Sequence, residues 1–177
     1  MTKTDISKYI IDYTEQNQKE KLIRLVGRTD ELNRLVHILL RKSRNNPAIV
    51  GPSGIGKTAL VEGLIDFLAS DQAPAALKNK HVVGVDVAAL MLDSESDGAY
   101  AQTLKAIFEH IVGCKDHILY IKDVSFLVRT DVSPENIEPA KFLKLKLLDG
   151  SLNCIVETDP FTYRGYLEKD TAVLQML

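Results

Sequence analysis

Residues 51–58 read Gly51-Pro52-Ser53-Gly54-Ile55-Gly56-Lys57-Thr58, a spacing suited to holding a polyphosphate. Glycines let successive backbone N–H groups turn toward one anion. The pattern G-x-x-x-x-G-K-[ST] then adds an ammonium for the β- and γ-phosphates and a hydroxyl for Mg²⁺. Pro52, Ser53, Gly54, Ile55, Gly56, Lys57, Thr58 and Ala59 are therefore the candidate nucleotide-binding residues, with Thr58 as the candidate metal ligand. A helix beginning here would also direct its positive dipole end at the same phosphate.

Such a loop needs a strand to deliver it and a helix to receive it. Ala48-Ile49-Val50 is a short apolar run, and Leu60, Val61, Leu64, Ile65 and Leu68 recur at helical spacing to about Ala69. Before them, Leu32, Leu35, Val36, Leu39 and Leu40 mark a helix with Thr29 as its expected N-cap, stopped by Asn45-Asn46-Pro47. Ile6, Tyr9, Ile10 and Tyr13 suggest a short amphipathic helix nearer the N-terminus. After the loop, residues 81–87, 117–121 and 152–156 read as strands. Leu104, Ile107, Phe108 and Ile111 mark a helix between the first two, and a helix within residues 133–148 entered near Pro139 and closed by Gly150 lies between the last two. Asp159-Pro160 would cap a final helix running toward Lys169. Strands alternating with helices imply an α/β fold, a parallel sheet covered by helices on both faces.

Composition bounds the function. The 177 residues, 45% apolar and 26% charged, suit one soluble domain with its own core. A net charge of −2 argues against nucleic acid or a membrane surface as partner. No apolar stretch is long enough to span a bilayer, and Met1-Thr2-Lys3-Thr4-Asp5 lacks the apolar core of a signal peptide. Cys114 and Cys154 fit no disulfide or zinc pattern, which suits a cytoplasmic setting, and His37, His81, His110 and His117 form no ligand pair. Lys141, Lys144 and Lys146 read as a solvated helix edge, and Asp131, Glu135 and Glu138 as loop charges.

From about Asp12 onward, several stretches in order resemble the first AAA+ module of Clp-type ATPases and chaperones. Leu25-Val26-Gly27-Arg28 is similar to that family's V-I-G-R turn. Residues 41–64, from Arg41 through Asn45-Asn46-Pro47 to Val61-Glu62-Gly63-Leu64, resemble its R-x-x-x-N-N-P, phosphate-loop and V-E-G-L run, and Glu168-Lys169-Asp170 its E-K-D. The resemblance implies a P-loop NTPase fold in residues 22–177, preceded by an N-terminal helix or linker in residues 1–21 and ending before the small C-terminal helical lid of the family. It also implies that Val26 and Gly27 frame adenine, that ATP or ADP is bound with Mg²⁺, and that the module sits in a homo- or hetero-oligomeric ring acting on protein clients or partner domains.

The departures from the pattern fall on other machinery. Where the third strand of the family ends in Asp-Glu, this chain has Lys122-Asp123, so the acid that supports Mg²⁺ is replaced by a cation and Asp123 remains as a shortened candidate base. At the pore stretch the client-gripping aromatic aligns with Ser96, within Glu95-Ser96-Asp97-Gly98, and Tyr100 follows in the next helix. The sensor stretch reads Val156-Glu157-Thr158-Asp159, keeping Thr158 as candidate sensor of the γ-phosphate, and Gln175 and Met176 stand where paired arginines reach the neighbouring subunit. The resulting expectation is a nucleotide-binding module that hydrolyses slowly or not at all and is structural or regulatory in a ring. The alternatives are an active ATPase using Asp123 as base, and an interaction scaffold without nucleotide use.

Overall fold

In the computed structural model, residues 5–20, 25–122 and 137–177 are described. In chain order these form a 3₁₀ turn (Ile6–Tyr9), β1 (Ile10–Asp12), α1 (Tyr13–Glu20), α2 (Thr29–Leu39), β2 (Ala48–Val50), α3 (Lys57–Leu68), β3 (His81–Val85), α4 (Val87–Asp93) and α5 (Asp97–Gly113). Then come β4 (His117–Ile121), α6 (Ile137–Leu148), β5 (Asn153–Thr158), α7 (Pro160–Gly165), a second 3₁₀ turn (Leu167–Lys169) and α8 (Thr171–Met176).

The strands form one five-stranded sheet in the order β1-β3-β4-β5-β2, with β1 antiparallel to β3 and the other pairings parallel. Side chains alternate across a strand, and two cores follow. Val82, Ile118, Tyr120 and Ile155 pack with Val36, Leu39, Val61, Leu64 and Leu68 of α2 and α3. Val83, Leu119, Ile121, Cys154 and Val156 pack with Ile107, Phe108 and Ile111 of α5, Leu143 and Leu147 of α6, and Val173 and Met176 of α8. Helices thus cover both faces, as the sequence implied, and no C-terminal helical lid follows among the described residues.

Three differences from the sequence reading have physical causes. The N-terminal segment is a 3₁₀ turn, a strand and a helix rather than one helix: Ile10, Ile11 and Asp12 pair with Val85, Gly84 and Val83 at the sheet edge. Asp12 also holds the ring of His81, Oδ2 to Nδ1 at 2.8 Å. The strand expected over residues 81–87 ends at Val85 because the Asp86 carboxylate accepts from the Ala89 N–H at 2.9 Å and starts α4. The helix expected from Asp159-Pro160 toward Lys169 is α7 followed by a 3₁₀ turn, and α8, capped by Asp170, is a further helix beyond it. Thr29 is the first helical residue of α2 and Arg28 its cap position, without a side-chain cap bond.

The loop before β2 is stitched to the rest through buried Asn46. Its Oδ1 accepts from Cys154 N–H at 2.8 Å and its Nδ2 donates to the Met176 carbonyl at 2.9 Å, while Pro47 O accepts from Val156 N–H at 2.9 Å. Asn46-Pro47 therefore sets β2 beside β5 and aims the following loop.

Candidate nucleotide site

The phosphate loop leaves β2 and is tied to β5 by the Gly51 N–H, which donates to Thr158 O at 3.1 Å. Gly54 and Gly56 lie in the left-handed region, at φ 78° and 86°. Gly56 is the residue before α3, and no side chain caps that helix. The first-turn N–H groups of α3 are thus left for an external anion. Lys57 folds back over the loop, its Nζ donating to Gly51 O at 2.8 Å and Pro52 O at 3.0 Å. Pro52, Ser53, Gly54, Ile55 and Ala59 are exposed around it, and Thr58 is half-buried.

The turn carrying Val26 and Gly27 is set against α3. A Cβ on Gly63 would lie 2.6 Å from Leu25 Cδ2, so only glycine there admits the turn. Val26 is 85% exposed, an uncovered apolar side chain at the position expected to frame a base. Arg28, to which the sequence reading gave no task, donates from its guanidinium to Ile55 O and stands 3.6 Å from a Cβ placed on Gly56. A second cation therefore borders the loop, and its place beside the V-G-R turn is the signal that could have marked it.

The ends of β4 and β5 complete the site. Glu157 shares the face of Ile155, the α3 side, and its carboxylate accepts from Thr58 Oγ1 at 3.3 Å and from the Tyr120 hydroxyl. Its Oε1 stands 3.9 Å from Lys57 Nζ, with the two side chains 16% and 10% exposed. Burial, then the bond to Glu157, pushes the Tyr120 hydroxyl well above its ordinary range, so it stays protonated as a donor. Lys122 lays its Nζ over the rings of Tyr13 and Tyr120, at 4.7 and 5.5 Å. Asp159 is occupied otherwise: it accepts from Phe161 N–H, Thr162 N–H and Thr162 Oγ1, and the Thr162 hydroxyl is the first cause holding its carboxyl below the usual range. Ser53, Lys57, Lys122, Glu157, Thr158, Asp159 and Thr162 line a cavity of about 200 Å³.

Of the two charges the sequence placed beside Thr158, then, Asp159 is taken up in capping a helix and Glu157 faces the loop. Thr158 is buried beside the cavity, its Oγ1 donating to Asp159 O at 3.4 Å. Asp123 lies outside the described residues. Ser96 caps α5, its Oγ accepting from Ala99 N–H at 3.2 Å, and Tyr100 is half-buried against the core of α5 and α6. Met176 is buried and Gln175 exposed on α8. The oxygens meeting at Thr58 and Glu157 are hard donors, the type Mg²⁺ takes when nucleotide phosphates complete its shell, so the donor set fits that ion.

A glycine loop between a parallel strand and an uncapped helix, beside the strand that carries Thr158, gives the chain the fold of a P-loop α/β module. No protein-family model matches the chain. It is 36% identical over 168 residues to the chaperone protein ClpB of Wolinella succinogenes, covering 95% of this chain and 20% of that one, and 35% identical over 169 residues to the mitochondrial ClpB3 of rice, Oryza sativa. Solved structures of yeast Hsp104 superpose over 97% of the chain: the ADP complex with TM-score 0.83 and the closed state with ATPγS and casein with 0.85, both at 31% identity. The chain is thus homologous to ClpB and Hsp104 as a single AAA+ module of a Clp-type ATPase, spanning about a fifth of the length of the curated relatives. Among the described residues no helix is long and apolar enough to cross a membrane.

Proposed function

We propose that this chain is the nucleotide-binding subdomain, residues 22–177, of a Clp-type chaperone ring, with residues 1–21 docked on it through β1. ATP or ADP sits with its phosphates on residues 52–59 and its base against Val26 and Gly27, and hydrolysis is slow or absent. The observation that carries the binding half is the uncapped start of α3 behind Gly54 and Gly56, with Lys57 and Thr58 in its first turn. The catalytic half rests on Lys122 at the end of β4 and on Gln175 and Met176 on α8, none of which supplies an acid or a trans arginine. Hsp104 solved with ADP and with casein supports nucleotide and polypeptide as the ligand classes. The self-capping of Ser96 and the partial burial of Tyr100 against the core argue that clients are not gripped through this stretch as they would be by an exposed aromatic.

Isothermal titration tests this: ADP should bind, and Lys57→Ala should weaken it by on the order of a hundredfold by removing the charge-assisted phosphate contact. An interaction scaffold without nucleotide use predicts no heat and no rise in melting temperature on adding ADP. An active ATPase using Asp123 predicts steady phosphate release.

A further inference from the structure

Three features around the loop share one explanation. The position where a metal-supporting acid is expected, at the end of β4, holds Lys122, whose ammonium is drawn aside over Tyr13 and Tyr120. The neighbouring strand, β5, instead brings Glu157 to the loop. Tyr120 on β4 and Lys122 just beyond its end share with Ile155 and Glu157 on β5 the face that carries α3, because side chains alternate along the extended chain and Ile121 is registered with Val156.

We propose that Glu157 is the carboxylate that works beside Thr58 in holding Mg²⁺ at the nucleotide phosphates, replacing the acid missing at position 122, and that Tyr120 is its positioning residue. This rests on the nucleotide-binding reading above and assigns to that site a ligand from a different strand.

The geometry supports it in three ways. The P-loop hydroxyl donates to this carboxylate, Thr58 Oγ1 to Glu157 Oε2 at 3.3 Å, so both donors already converge on one point. The carboxylate is anchored by the Tyr120 hydroxyl rather than left to sample solvent. Of the two acids lining the cavity, Asp159 is engaged in capping α7, leaving Glu157 as the one that faces Lys57 and Thr58. Charge fixes the sign of the effect. A carboxylate beside a polyphosphate repels it, and the same carboxylate becomes favourable once a divalent cation lies between the two. Glu157 should therefore oppose metal-free nucleotide and favour the metal-bound form.

The test titrates ADP into the chain in MgCl₂ and in EDTA, for the unaltered protein, Glu157→Ala, Glu157→Gln and Tyr120→Phe. The unaltered protein should gain about tenfold or more in affinity from Mg²⁺. Both Glu157 variants should lose most of that gain while binding ADP in EDTA as tightly as before or more tightly, and Tyr120→Phe should lose part of it. Glu157→Gln keeps shape and can still accept from Tyr120, so its result stands even if Glu157→Ala disturbs folding. An undiminished Mg²⁺ gain in Glu157→Gln overturns the assignment and leaves nucleotide binding intact. Tighter ADP binding by that variant in MgCl₂ also overturns it, making Glu157 a barrier to phosphate. Absence of ADP binding by the unaltered protein in both buffers removes the nucleotide reading itself.

Discussion

The start of α3 and the starts of four helices elsewhere in the module are built in opposite ways. α4, α5, α7 and α8 are capped by their own chain, through Asp86, Ser96, Asp159 and Asp170. α3, like α2, has no side-chain cap, and it alone of the two follows a glycine loop with Gly54 and Gly56 in the left-handed region. A capped terminus has spent its free N–H groups on itself, whereas an uncapped one offers them to a ligand. At Ser96 the contrast bears on function, since a residue aligned with a client-gripping aromatic is occupied in holding a helix end. On the proposed reading, the helix start that would meet phosphate carries no cap, while the stretch aligned with the client-gripping aromatic is capped by its own serine.

That contrast can be broken at either end. Gly56→Ala forces a Cβ into left-handed backbone at φ 86° and should cost about 1–2 kcal/mol of stability, with ADP affinity falling as well; denaturant melts and ADP titration check both. Ser96→Ala should cost roughly 1 kcal/mol, the usual worth of an N-cap, and leave ADP affinity unchanged. A matched loss of ADP binding would couple the two ends.

The acid side of the stability profile gives the smallest effect. Asp159 is held low first by the Thr162 hydroxyl. Asp170 is pushed up by burial but held low on balance by Lys144, whose Nζ lies 2.6 Å away, and by the N–H groups of α8. Both folded pKa values lie below the unfolded ones, so their contributions are present above the ordinary carboxylate range and vanish as pH falls through the folded values. Asp159→Asn and Asp170→Asn keep an acceptor at each cap and should flatten the fall of the urea midpoint with acidification.

The loop at residues 51–58 was legible because its backbone demands are written in residue types, with glycine at 54 and 56 where φ is positive. β4 matched its expected limits, since His117-Ile118-Leu119-Tyr120-Ile121 is an unbroken run ending at polar residues. β1 was missed because three residues pairing with a strand about seventy positions away carry no local period. α4 was missed although Asp86 ahead of Val87-Ala88-Ala89-Leu90 is a cap signal, because the β-branched run before it extended the strand reading. The inward aim of Glu157 was available from strand alternation, two residues beyond buried Ile155. Its bond to Tyr120 was not, since only the register of β4 against β5 brings the two together.

Phosphate release under saturating Mg²⁺ and ATP, followed on a sample shown by titration to bind ADP, tests the central claim most directly. The account predicts release near background, and little recovery in Lys122→Asp with Asp123→Glu because Gln175 and Met176 still stand where arginines would be. Steady turnover by the unaltered chain would contradict it.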